Sequence, residues 1–488
     1  MGSERLSNLT EVSSNVYFRL GDIGRGQSNG GFIICNDYVI AIEAANLEAS
    51  AEMFEEAAEL TDKPIKFLII THGHWDHDLG VSGFTEKGVT VICHESLRKR
   101  YRDESKPGSY IGVKDKLILN DNERAIEFFT MGTLHSKTDL FTYLPEEGII
   151  FTGDSVVSMP GTLWMGECDI WNWIRSLKKM QKLDISTVCT GHGMAAGKEV
   201  IGELESHLTK LRDEVGYQVS QGRNFEMTLE KVNVPSKKEW TPDTNAFSDH
   251  VKSVYNQLTS DPSETKGTTL HALALIGDHY HPPFYIPPSL EPLLQKIGIP
   301  VHFIYDVTKL NENSLKGIDL LIILRDGMIW PKSDSEMEFW LTADQEKAIA
   351  DFINRGGGFL ALHNCTALKN LDNKPSMYRE VLGSSYNGHG PSDEKFEVEV
   401  INHDHPVTAG VNDYIAVDER HTPIIHANDL TFLTEAVNGD QKSVNGYVRE
   451  YGKGRICHLA NGHNLEVLTN PEMQKLMYNG ILWCIKRV

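Results

Sequence analysis

Hydrophobic and polar positions divide the chain into two differently patterned stretches. In roughly the first 220 residues, short β-rich runs alternate with amphipathic helices. Gly31–Cys35 and Val39–Ile42 read as strands joined at Asn36-Asp37. A helical pattern over Glu48–Leu60 leads into the apolar run Lys66–Thr71, which predicts a buried strand. Thr142–Leu144 and Gly148–Phe151 flank a Pro-Glu-Glu turn. From Gly197 to Gln218, Val200, Ile201, Leu204, Leu208, Leu211 and Val215 form one helical stripe. Residues 222–260 are mixed and are expected to pack back on this first part.

The segment Ser260–Gly267 is polar and rich in structure breakers, so the pattern predicts domains at 1–260 and 268–488 with a linker at 261–267. Beyond it, β and α stretches alternate. Candidate strands are Thr269–Ile276, Val301–Tyr305, Ile318–Leu324 and Gly358–Leu362. A helix opens with the capping-box spacing Thr342–Gln345 and closes at Gly356-Gly357-Gly358. Near-continuous apolar strands such as Leu320–Leu324 suit a parallel sheet covered on both faces.

Composition narrows the function classes. The 488 residues carry 47 Lys+Arg against 68 Asp+Glu, a formal charge of −21. Nucleic-acid and anionic-membrane partners both need surplus cations, so this balance argues against either. A small-molecule substrate is expected instead, with homo-oligomerisation left open. No apolar run approaches the ~18 residues of a membrane span. The first residues lack the basic start and apolar stretch of a signal peptide. Seven dispersed cysteines without a CxxC pair read as reduced thiols, so a cytoplasmic location is expected.

The histidines change the picture most. Directly after the strand ending at Thr71 comes His72-Gly73-His74-Trp75-Asp76-His77. In an extended loop, positions i and i+2 point the same way, so His72 and His74 can share one metal. Gly73 is expected to let the backbone turn tightly between them. Asp76 and His77 lie where a helix begins and can face a second ion. Imidazole and carboxylate donors suit Zn²⁺.

With its preceding strand, this string resembles the metallo-β-lactamase superfamily. Three more pieces follow in order: Gly132–Ser136 with His135, Phe151–Asp154, and Thr190–Gly193 with His192. The resemblance spans about residues 12–217 and implies an αββα sandwich. It also implies His72, His74 and His135 around one metal, Asp76, His77 and His192 around a second, and Asp154 between them. Two Zn²⁺ per chain are expected, with Fe or Mn as substitutes. Such a pair lowers the pKa of bound water to about 7 and holds the substrate oxygen. Asp76 and Asp154 are the implied catalytic carboxylates, Asp76 orienting the nucleophile and returning a proton to the leaving group. The expected activity is hydrolysis of an ester, lactone, thioester or amide-like bond.

Related readings fare differently. Similar diiron oxidoreductases place a glutamate where this chain has His74, and superfamily nucleases sit badly with the negative charge. An iron-dependent persulfide dioxygenase keeps a similar ligand set and stands as the alternative. Within the segment Gly161–Trp173, the aromatics are candidates for a substrate rim, with Trp171 and Trp173 read as helix anchors. Trp75 is either a pocket wall or a packing residue, and Cys93 and His94 read as structural.

The second half resembles the ThuA-like (trehalose utilisation) family, whose fold is that of class I glutamine amidotransferases. Gly356–His363, His405–Gly410, Asp418-Glu419 and Gly452–His463 carry the resemblance, across roughly 268–486. It implies a doubly wound parallel sheet and a link to carbohydrate metabolism, hence a sugar-derived substrate. His363 closes a predicted strand, at the rim where such sheets bind ligands. With Glu419 and His463 it forms a candidate second site with acid, base or metal-ligand capacity. Alternatively these groups hold loops together and the domain is a non-catalytic binding or assembly module. Cys365 lacks the flanking glycines of a nucleophile turn and reads as structural. His279 and His281 either line the same crevice or sit in a solvated loop.

Overall fold

The computed structural model describes residues 8–103, 108–122, 124–234, 240, 244–261, 270–368 and 375–488. They form two compact units, Met1–Arg212 with Asn233–Gln257, and Asp213–Val232 with Leu258–Val488. The packing adds a crossing that a single boundary at 261–267 does not describe. Residues 213–232 join the second unit because Arg325 Nη2 donates to the Ser220 carbonyl, Trp330 N donates to the Gln221 carbonyl, and Arg223 pairs with Asp334. Most of the expected linker, 262–267, lies outside the described residues.

The first unit is the expected αββα sandwich. A seven-stranded sheet runs Leu9–Ser13, Val16–Arg19, Gly30–Ile34, Val39–Ile42, Ile65–Ile69, Thr90–His94 and Ser109–Val113 in spatial order. A five-stranded sheet runs Thr187–Thr190, Ile149–Gly153, Phe141–Leu144, Arg124–Phe129 and Lys116–Asp121. Strand alternation sorts the side chains. Ile33, Ile40, Ile42 and Ile69 meet Phe128, Leu144 and Phe151 in the core between the sheets. Phe32, Val39, Ala41 and Leu68 face the other way, onto Met53 and Ala57 of the helix Leu47–Leu60 and onto Phe84 and Leu97. Buried on both faces, these strands read as unbroken apolar runs. The long helix expected from Gly197 to Gln218 spans Glu199–Ser220.

The second unit contains a nine-stranded sheet ordered Val301–Ile304, Ala272–Ile276, Leu320–Leu324, Gly358–Leu362, Gly454–Leu459, Gln441–Tyr451, Thr431–Asn438, Glu394–Val400 and Tyr414–Asp418. The first five are parallel, as the apolar runs predict. The remaining four add in antiparallel pairing, so the sheet is mixed rather than wholly parallel. Their alternation leaves one face polar, as in Glu394–Val400 with Glu397 exposed and Val398 buried. Helices cover both faces of the parallel part. Ile349, Phe352 and Ile353 of the helix Ala343–Asn354 pack on Leu321, Ile323 and Phe359. On the opposite face Gly480, in the helix Pro471–Cys484, lies against Leu360 and Cys457. The Thr342–Gln345 capping box forms as expected.

Candidate metal centres

Every candidate ligand of the first unit sits at or just beyond the C-terminal end of a strand or in the loop that follows one. Strand Ile65–Ile69 leads to His72 and His74, and Asp76 and His77 start the short helix Trp75–Asp78. His135 lies between Arg124–Phe129 and Phe141–Leu144, Asp154 follows Ile149–Gly153, and His192 follows Thr187–Thr190. The structure brings all seven together. His72 Nε2 lies 3.0 Å from His74 Nδ1, which lies 3.1 Å from His135 Nε2. Asp154 Oδ2 is 3.8 Å from His72 Nε2 and 3.6 Å from His135 Nε2. In the second group, His192 Nε2 is 3.1 Å and His77 Nε2 3.7 Å from Asp76 Oδ2. Asp154 reaches this group too, its Oδ1 3.3 Å from His77 Nε2 and its Oδ2 3.5 Å from His192 Nε2.

These separations fit bound cations. Four donors ~2.0–2.1 Å from a tetrahedral ion stand about 3.3 Å apart from one another. The Trp164 carbonyl, 3.0 Å from His135 Nδ1, can only accept, so that nitrogen carries the proton and Nε2 presents its lone pair. Asp154 Oδ1 and His77 Nε2 are buried without a hydrogen bond. Buried polar atoms are normally satisfied, and an ion would satisfy both. Burial, reinforced by His77, holds His72 well below the usual imidazole range, and burial pushes His135 down to about 4. Both are neutral donors near pH 7.

Close approach explains two glycines. A Cβ at Gly191 would stand 2.1 Å from Asp154 Oδ1 and 2.7 Å from the Gly153 backbone. Gly73 has no left-handed φ, so the tight turn expected there is not its role. A Cβ at Gly73 would instead meet Leu97 Cδ1 at 2.9 Å and Arg100 Nη1 at 2.8 Å.

Two supporting residues, Glu43 and Asp139, escaped the sequence reading, and a third, Trp164, was among its candidate rim aromatics. Glu43, buried and left-handed at φ 64, places Oε1 3.1 Å from His77 Nδ1 and accepts from the Thr71 hydroxyl. Burial raises its carboxyl. Asp139 clamps the His135 loop, accepting from Leu134 N at 2.9 Å, Ser136 N at 2.9 Å and Ser136 Oγ at 2.8 Å. Trp164, half exposed, stands 4.8 Å from the His74 ring and 5.5 Å from His135. A charged residue ending an apolar strand was the available signal for Glu43; nothing in the sequence marked Asp139.

The weaker candidates separate. Trp173 is buried with Nε1 donating to the Ser155 carbonyl, and Trp171 stacks under Arg212, consistent with anchoring. Trp75 is largely exposed. Burial pushes the Cys93 thiol up to about 12, and His94 accepts from Ser96 N. All seven cysteines are free and buried. Cys365 is fully enclosed and burial raises its thiol, so it is not poised as a nucleophile. In the second unit His363, Glu419 and His463 converge, and His281 joins them. His279 instead stacks on Trp330, ring centroids 4.4 Å apart.

Comparison with known proteins agrees with this geometry. Residues 24–192 match the family model described as the metallo-beta-lactamase superfamily. The metallo-beta-lactamase type 2 of Bacteroides fragilis is 24% identical over 206 residues, covering 40% of this chain and 82% of that protein. A beta-lactamase-like protein 2 homolog of Caenorhabditis elegans is 25% identical over 166 residues, 32% of this chain and about half (52%) of its own length. Among solved structures, a metallo-beta-lactamase from Pontibacter korlensis covers 41% of this chain and 97% of its own, at TM-score 0.38 and 20% identity. Residues 24–192 thus match that superfamily's model and carry His and Asp groups spaced to hold metal ions. Residues 277–484 match the model described as trehalose utilisation, ThuA. No helix among the described residues is long and apolar enough to cross a membrane.

Proposed function

We propose that the first unit is a dizinc hydrolase acting on an ester, lactone, thioester or amide-like bond of a small, sugar-derived molecule. The observation that carries this reading is the sharing of Asp154 between two donor groups, His72, His74 and His135 on one side and Asp76, His77 and His192 on the other. Two zinc ions bound there would supply Lewis acidity and lower the pKa of water.

The chain's own residues do the rest. Glu43 orients the His77 ring through Nδ1, and the Trp164 carbonyl fixes His135. Asp76, only partly buried like His192, is placed to hold and return a proton at the leaving atom. Trp164 offers an apolar wall beside His74 for the part of the substrate that does not react. The sugar link rests on the ThuA match alone and is an analogy.

The test is elemental analysis of chelator-free protein combined with a panel of lactones, thioesters, β-lactams, phosphodiesters and keto-glycosides. His72→Ala and Asp76→Ala should each lose metal and reduce turnover by about 10³-fold or more. Full activity in metal-free protein would end the proposal. Oxygen consumption with a persulfide substrate and iron-only occupancy would replace it with the dioxygenase reading.

A further inference from the structure

The second unit holds a donor cluster independent of the one above. His281, His363, His463 and Glu419 each offer one atom, all within 4.8 Å of one another. His281 Nε2 lies 3.1 Å from His363 Nε2 and 3.1 Å from His463 Nδ1. Glu419 closes the group, with Oε2 3.5 Å from His363 Nε2 and Oε1 3.3 Å from His463 Nδ1. The spacing again matches the ~3.3 Å expected between donors of one tetrahedral ion.

Hydrogen bonding fixes which nitrogens point inward. His363 Nδ1 lies 2.8 Å from the Ala460 carbonyl, and His281 Nδ1 lies 2.8 Å from Asp278 Oδ1. The Ala460 carbonyl can only accept. At His281 the Asp278 carboxylate is a stronger partner than the Asn364 amide, whose Nδ2 also lies 2.8 Å from Nδ1 and donates to Asp278 Oδ2. Both Nδ1 atoms therefore carry protons and both Nε2 atoms present lone pairs. Lone pairs 3.1 Å apart repel unless something positive lies between them. A proton on His463 Nδ1 would serve its own contact with His281, whereas a single cation serves all three nitrogens and Glu419 at once.

The backbone is shaped for this convergence. His363 directly follows the strand Gly358–Leu362 and sits in the left-handed region at φ 51, an unusual conformation for a side-chain-bearing residue. A Cβ at Gly462 would stand 2.8 Å from His363 Cβ, so glycine there makes room for the ring. Asp418 accepts from Gly462 N at 2.9 Å and His463 N at 3.0 Å, holding the opposite loop. A carboxylate behind a ligating histidine, as Asp278 stands behind His281, is the usual support of a metal-bound imidazole. His421 and His389 also face Glu419, at 3.6 and 3.7 Å, outside the donor group.

We infer that His281, His363, His463 and Glu419 bind one divalent transition-metal ion of the zinc type, in addition to any held by the first unit. Three imidazoles and one carboxylate suit such ions better than Mg²⁺ or Ca²⁺, which favour all-oxygen shells.

The test uses the full chain with its first centre disabled by His72→Ala, His77→Ala and Asp154→Ala, which leaves no more than two donors in either of its groups. After metal stripping, loading with Zn²⁺ and desalting, elemental analysis should show about one ion per chain. Loading with Co²⁺ should give the visible bands of a four-coordinate site. Adding His463→Ala, a half-buried position, or Glu419→Gln should remove both signals while far-UV circular dichroism stays unchanged. If the protein with its first centre disabled is folded but takes up no ion, or if the signals survive both second-unit substitutions, the inference is overturned. Because the first centre is absent throughout, neither result depends on the proposed hydrolase.

Discussion

The two histidine clusters share a plan but differ in how their donors are distributed along the chain. In the first unit, four of seven candidate ligands come from one six-residue string, His72 to His77. In the second, His281, His363, Glu419 and His463 come from four separate segments. Both clusters lie beyond strand ends, both include a carboxylate facing several imidazoles, and both are backed by a buried acid, Glu43 or Asp278. The difference teaches that a metal site becomes visible in a sequence when its donors are local, not when it is better built. The two donor groups are equally tight, with shortest nitrogen separations of 3.0 Å and 3.1 Å.

The comparison breaks most sharply at the shared carboxylates. Asp154 belongs to both donor groups of the first unit, so Asp154→Ala should release both ions there and lower hydrolysis by about 10³-fold or more. Glu419→Ala should cost a single ion. Metal analysis of the two variants side by side checks this, and equal losses would show that the first unit holds one ion.

The backing acids give a smaller, paired effect. Glu43→Gln and Asp278→Asn remove the anion behind His77 and His281, and at Asp278 the new NH₂ also faces N–H donors of Tyr280 and His281 or of Asp326 and Asn364. Each should weaken Zn²⁺ at its own centre about 10–100-fold, measured by competition with a chelator. Crossed effects would contradict the independence of the two centres.

The smallest expected change concerns Asp139, whose buried carboxyl is pushed up to about 7 by burial yet accepts from two backbone amides and a hydroxyl. In Asp139→Ala the buried Leu134 and Ser136 N–H groups lose their acceptor. A loss of about 1–3 kcal/mol is expected, since buried donors go unpaired. At ~2–4 °C per kcal/mol for a domain of this size, calorimetry should resolve it. An unchanged melting temperature would mean that the His135 loop does not depend on this clamp.

Much of the fold was legible because burial on both faces writes itself as apolar runs. Val39–Ile42 and Gly358–Leu362 form strands with the expected bounds. The antiparallel extension of the second sheet was not legible, because strands such as Glu394–Val400 are half-polar and offer no unbroken apolar run. The passage of residues 213–232 into the second unit was hidden for a related reason. Their stripe is continuous with the helix that begins in the first unit, and periodicity does not say which core a stripe meets.

What the sequence determined by itself was the pair of fold classes and the chemistry of the His72–His77 string, because periodicity and short spacing act over a few residues. Tertiary structure alone decided that His281 rather than His279 joins the second cluster, and that Glu43 and Asp139 stand behind the first. Those choices depend on which strand ends are neighbours and on which buried acceptors claim each ring nitrogen. Such constraints arise only when distant segments share one desolvated space.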